Sequence, residues 1–208
     1  DDLALSNHLE TATGLIQEKG KVEWFHLGYS FAYPSGKIFK SVNNFTGETL
    51  NKIMCLGNPL SCNGIFIRRD ITLKNKFNED RSLSASEDYE LWCRLAARYP
   101  LHYTNTITSL VIDHDTRSVR SIKGERLINR LQLLIKYLEQ DEYVVRYFGK
   151  DFNKIRMDAN SYIALHLAEN PTYKIDSVRY LLKAVINSIA LLKRKRFYAT
   201  VKNILIKW

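Results

Sequence analysis

The chain has 208 residues, 45% hydrophobic and 12% aromatic, which suits one folded domain or one and a half and excludes the composition of a disordered protein. Its formal charge of +9 is uneven: residues 174–208 hold nine basic side chains against one acid, Asp176, so the remainder is close to neutral. No apolar run reaches the roughly 20 residues of a membrane span. No basic, apolar leader opens the chain. Cys55, Cys62 and Cys93 form no CxxC pair, and suit reduced core thiols in a cytosolic compartment better than a disulfide framework or a zinc site. The chain starts Asp-Asp without an initiator Met, which fits a piece of something longer.

In chain order, residues 3–19 read as a helix with Asp2 as N-cap and Gly20 as its stop. Residues 22–33 alternate and are rich in aromatics, which predicts a strand; a Pro34-Ser35-Gly36 turn leads to a return strand over 37–42. A short helix is expected over 46–57 and a strand over 62–69. A polar loop, 74–86, precedes a helix that Pro100 closes, and 101–113 alternate as a strand. From about residue 120 the character changes. Leu127, Leu131, Leu134 and Leu138 share one face at helical spacing, and further helical stretches fall near 141–148, 152–168 and 175–192. The reading is therefore α/β over 1–118 and an all-helical extension over 119–208.

On a helical wheel of residues 87–99, Leu91, Trp92, Leu95 and Tyr99 form an apolar stripe, with Glu87, Glu90, Arg94 and Arg98 opposite and Glu90–Arg94 an i,i+4 pair. Asp88 joins the apolar side. An inward carboxylate costs desolvation, but free N–H groups and the macrodipole of a first helical turn favour its negative charge. Such a group suits a general base facing a cleft and needs no shifted pKa for it. Equally, Asp88 caps its own helix, although Ser86 is the more natural N-cap.

The run Glu87-Asp88-Tyr89-Glu90-Leu91-Trp92-Cys93-Arg94-Leu95 follows a strand ending in basic residues and a Phe77-Asn78-Glu79 step. It precedes a strand and a loop with His114 and Ser118. In this order the segment resembles the second half of the family 2 glycosyltransferases. The resemblance covers about residues 1–118. It implies the C-terminal part of a GT-A, Rossmann-like, nucleotide-sugar transferase domain, followed by the helical extension. It also implies an inverting transfer from a nucleotide-sugar donor to a glycan or lipid-linked acceptor, with Asp88 as general base and Glu87 on the acceptor side. Asp1-Asp2-Leu3 looks like the tail of that family's Asp-x-Asp-Asp stretch, so Asp1, with His114, would bind a divalent cation, Mg²⁺ or Mn²⁺. Asp2 as a plain N-cap and His114 paired with Asp113 or Asp115 are the alternatives. Arg117 and Arg120 would meet phosphate or solvent.

The family's nucleotide-binding half is not in this sequence, so the chain alone is expected to be inactive. No Gln-x-x-Arg-Trp of the processive synthases occurs, which favours addition of one sugar in the building of a surface glycan. P-loop, GxGxxG, HExxH and nucleophile-elbow motifs are missing too. At the end of the chain, Phe197, Tyr198, Val201, Ile204, Leu205 and Trp208 share a face after Lys193-Arg194-Lys195-Arg196. Such a basic amphipathic helix suits an anionic membrane surface, giving a cytoplasmic protein peripheral at the inner face; packing on the domain is the alternative. Nucleic acid is not expected, because the aromatics form an apolar face rather than stacking platforms. The rival to an enzyme is a non-catalytic module that binds acceptor, membrane or partner.

Overall fold

A computed structural model describes residues 2–45, 50–114 and 123–206. Its central strand is β2 (Trp24–Ala32), in which every residue but Phe31 is buried. Here β-branched and aromatic content matters less than coverage on both faces. Phe25 and Leu27 meet Ala12 and Leu15 of α1 (His8–Lys19), while Trp24 faces the main core, its ring 6.2 Å from Trp92.

β2 pairs in parallel with β5 (Leu101–Ile112) and antiparallel with β3 (Ile38–Val42) and β4 (Ile65–Ile67). β1 (Leu3–Ala4) adds to the far side of β5, so the mixed five-stranded sheet has the order β1-β5-β2-β3, with β4 beside β2. Its register shifts at Gly28, where Leu27 pairs with Thr104 but Gly28 with Ile107. A Cβ at Gly28 would lie 2.8 Å from the Thr106 carbonyl oxygen, so only glycine lets the two backbones approach there.

After α2 (Arg69–Lys74), α3 (Glu87–Ala96) leads into β5. The buried Asn51 clamps this junction: its Nδ2 donates to the carbonyls of Ala96 at 2.7 Å and Tyr99 at 2.6 Å, and its Oδ1 accepts from the Leu101 N–H at 2.9 Å. The orphan carbonyls of the helix end are thereby satisfied by a side chain.

From Glu125 the described elements are helical: α4 (Glu125–Gln140), α5 (Glu142–Phe148), α6 (Phe152–Leu167), α7 (Lys174–Asn187) and α8 (Lys195–Ile206), with short 3-10 turns between. They do not stand apart from the sheet. One hydrophobic cluster runs from Trp24 through Trp92 and Leu134 to Leu191. α6 has ten of its sixteen residues buried, which no appendage on a finished domain would need.

Three expectations change. Asp2 caps no helix, because residues 3–4 form β1 and its Oδ1 accepts the Ile112 N–H at 2.9 Å at the sheet edge. Residues 50–56 are a 3-10 helix, with 46–49 outside the described residues. Residues 62–69 divide into a 3-10 turn, the short β4 and the start of α2. On α3 the expected Glu90–Arg94 pair forms, and that side of the helix is covered. Glu90 is buried under a two-pronged ion pair with Arg94, and Arg98 reaches Asp141 at 2.7 Å, the residue whose Oδ1 caps α5.

Since Leu138 is fully buried on the leucine face of α4, Leu138→Ala should cost about 2–5 kcal/mol in urea unfolding. A loss below about 0.5 kcal/mol would mean that this face is not packed.

Candidate active site

Three walls meet around a cleft of about 1530 Å³: the head of α3 with residues 84–88, the loop 56–63, and the inner faces of α4 and α6. Ala85 turns the chain into α3 with φ of 67°, a left-handed conformation that costs a non-glycine residue about 1–2 kcal/mol. That strain is held beside the residues that enter the cleft.

Asp88 is half-buried. Its Oδ1 accepts the Tyr89 N–H at 2.6 Å, using one of the free N–H groups of the first turn. Its Oδ2 turns to the facing loop, where Asn58 Nδ2 donates at 3.0 Å and the Cys62 thiol at 3.7 Å. Capping and cleft-facing roles are thus divided between its two oxygens. Burial raises the Asp88 carboxyl above its ordinary value, and the nearby Glu87 charge adds to that; the Tyr89, Asn58 and Cys62 donors pull the other way without cancelling it. The first turn of α3 was expected to favour the negative charge of Asp88. Desolvation outweighs that, because the Asp88 side chain is half-buried and turned to Asn58 and Cys62 of the facing loop rather than to open water.

Glu87 lines the same cleft, its Oε2 accepting the N–H of Ser86, which stands at the N-cap position without capping through its own side chain. His114 lines it as well. Asp1 lies outside the described residues, as do Asp115, Arg117, Ser118 and Arg120. Among the described residues, no group of three or more His, Cys, Asp or Glu gathers to hold a metal ion. Asp2 lines the cleft but is tied to the Ile112 N–H, and Asp88 is held by Asn58 and Tyr89. The residues described therefore do not amount to a divalent-cation cage.

Cys55 and Cys93 are buried thiols, as expected; Cys62 is not. It stands at the cleft, with its pKa pushed up to about 12 by partial desolvation there and by the Asp88 charge, which makes it a donor to Asp88 rather than a nucleophile.

Composition and motif drew attention to neither Asn58 nor the α4–α6 wall. From that wall Arg130, Asp158, Tyr162 and, from α8, Arg196 enter the cleft. Asp158 Oδ1 takes Arg194 Nη1 at 3.0 Å and Arg196 Nη1 at 2.8 Å. A Cβ on Gly57 would lie 2.9 Å from Asp158 Oδ2, so the lack of a side chain there lets the loop close onto α6. One signal was available: Arg130 lies within the leucine stripe of α4, the same anomaly that singles out Asp88 on α3. The run 193–196 also divides. Its lysines point to solvent and its arginines turn inward.

Beneath the loop lies His26, fully buried, whose Nε2 accepts the Ser61 N–H at 3.2 Å between the ring edges of Tyr29 and Phe45. Burial lowers its pKa to about 3. The unfolded chain binds the proton near 6.5 and the folded one resists it, so stability is lost as pH falls from about 6.5 toward 3. His26→Gln, which keeps an acceptor for Ser61 but cannot titrate, should flatten the fall by up to about 1.4 kcal/mol per pH unit in urea unfolding at pH 7, 6 and 5. Identical slopes for the two proteins would mean that His26 is not held neutral.

Compared with known proteins, the chain matches no protein-family model and no curated protein.

Proposed function

We propose that the cleft is the acceptor side of a sugar-transfer site, with Asp88 as general base. The observation that carries the reading is the Asp88 carboxylate itself: positioned by Asn58 and the head of α3, desolvated, and open to a cleft large enough for a sugar. The acceptor hydroxyl oxygen attacks the anomeric carbon of a nucleotide sugar. As that C–O bond forms, the bond to the diphosphate breaks with its electron pair leaving on the nucleotide, and configuration inverts. The hydroxyl proton passes to Asp88, either of whose oxygens keeps lone-pair capacity beyond the contacts described. Glu87, beside it, is suited to hold a second acceptor hydroxyl. The resemblance also implies Mg²⁺ or Mn²⁺ at the leaving diphosphate; no step here is routed through it.

A raised Asp88 pKa makes it a stronger base than an ordinary carboxylate, and it places the acid limb of the rate profile above the usual carboxylate range, since the protonated form cannot accept the proton. Asp88→Asn keeps an acceptor for the Asn58 amide but no basic oxygen. Assayed with whatever sequence precedes Asp1 in the parent protein, it should lower kcat/KM by about 10²–10⁴-fold with KM little changed. Transfer within a few-fold of the parent would remove Asp88 from the chemistry.

The membrane expectation moves to another surface. On α8, Phe197, Val201 and Ile204 pack against the core, Thr200 is buried, and Trp208 lies outside the described residues. Tyr198 and Leu205 of α8 stay exposed, but a longer outward apolar row is on α7 and the turn after it: Ile175 is 79% exposed, Leu182 58%, Ile186 84% and Ile189 77%. Arg179, Lys183 and Lys193 are exposed in the same stretch, and no described helix is long and apolar enough to cross a membrane. An apolar row set among cations suits the surface of an anionic bilayer, where a lipid-linked acceptor would reside. Leu182→Glu/Ile186→Glu should reduce co-sedimentation with phosphatidylglycerol vesicles at least tenfold. Undiminished binding would rule out this face.

A further inference from the structure

Arg130 is a charged cleft residue that the proposed chemistry leaves unused and the packing leaves unexplained. Only 3% exposed, it lies on α4 among Leu127, Leu131 and Leu134, and its Nε and Nη1 have no hydrogen-bond partner among the described residues. A guanidinium stays charged even where burial disfavours it, and it carries five N–H donors in a rigid fork. It hydrogen-bonds with Tyr162 and feels the Glu87 and Asp88 charges across the cleft, but no described carboxylate takes its Nε or Nη1. Glu90 is taken by Arg94, Asp158 by Arg194 and Arg196, and Asp88 by Asn58 and the Tyr89 N–H.

Arg130 shares its corner of the cleft with Tyr162, over whose ring the Arg196 guanidinium lies at 5.6 Å, and Arg196 lines the same cleft. Arg194 and Arg196 together set two positive charges against the single Asp158 carboxylate, so this corner is cationic before Arg130 is counted. Asp88 and Glu87 make the α3 wall anionic. The cleft is thus divided by charge, with a proton acceptor on one wall and unmet N–H donors on the other.

We propose that Arg130, supported by Arg196, forms an oxyanion subsite, and that the molecule presenting its hydroxyl to Asp88 carries a phosphate or carboxylate group. The subsite stands on Arg130's burial and open donors; its assignment to the acceptor rests on the reading of Asp88 as base. A bidentate contact of this kind is what a planar guanidinium offers either anion.

The full chain is titrated with inorganic phosphate and, separately, with acetate at constant ionic strength, following the ¹H–¹⁵N resonance of Arg130 Nε and the heat of binding. Saturable binding of either anion that shifts the Arg130 Nε resonance is expected, and the stronger of the two names the group. Arg130→Gln should weaken that binding at least tenfold, whereas Asp88→Asn, which removes a negative neighbour, should leave it equal or tighter. No saturable binding of either anion, or binding that leaves the Arg130 resonance unmoved, overturns the subsite even if Arg130→Gln fails to fold; so does a folded Arg130→Gln that binds like the parent. Because Asp88→Asn is judged on transfer in one assay and on anion binding in the other, failure of the base reading and failure of the subsite give different results.

Discussion

Everything at the cleft depends on α3 being enclosed. A ten-residue helix with four charged residues would ordinarily lie at a surface, with its dipole and first-turn acids in water. Here Tyr89, Leu91, Trp92 and Leu95 are buried on one side, the hydroxyl of Tyr89 donating to the Met54 carbonyl. On the other side Arg94 pairs with Glu90 and reaches back to the Lys76 carbonyl, and Arg98 fastens the end of the helix to Asp141 at the head of α5. With Asn51 fixing its C-terminal end, the helix has no freedom to roll, and the direction of Asp88 is set from both ends. Breaking one member of such a partly buried ion pair leaves its partner uncompensated, so these charges act as orientation constraints more than as sources of stability.

The second constraint is the loop opposite. His26 supports it from below through the Ser61 N–H, and Gly57 lets it close on Asp158. Asn58 is thereby brought to Asp88. Sheet, loop and helical layers each contribute one side of the cleft, which is why a single hydrophobic cluster extends through all of them. The helical segment is a wall of the candidate site rather than an attachment to it.

Much of this was legible in the sequence. Alternation placed β2, β3 and β5 to within two residues, and the leucine spacing placed α4, because both patterns are local and persist over several turns or residues. Asp88 was found by its position on the wheel. The Glu90–Arg94 pair was legible too, but a wheel shows which residues share a side, not what covers that side; Arg98 finds its partner, Asp141, far along the chain. Asp2 likewise looked like a cap because Leu3 and Ala4 are too few to announce a strand, and only β5 makes them one. Asn58, Cys62 and Asp158 carry no local signal. Their roles arise where a loop and a distant helix meet, which no periodicity encodes.

The alternation within Lys193–Arg196 limits how the chain can be shortened. Its arginines are the counterions of a carboxylate that burial already pushes toward the neutral form, and that carboxylate lies against the loop presenting Asn58. Trimming the chain before Arg194 would leave Asp158 with neither cation, and the disturbance would reach the cleft rather than stop at the tail. A boundary drawn by composition, where the basic run looks dispensable, would cut through the wall of the site. Fusions and truncations are better placed beyond α8, whose Phe197, Thr200, Val201 and Ile204 are packed as well.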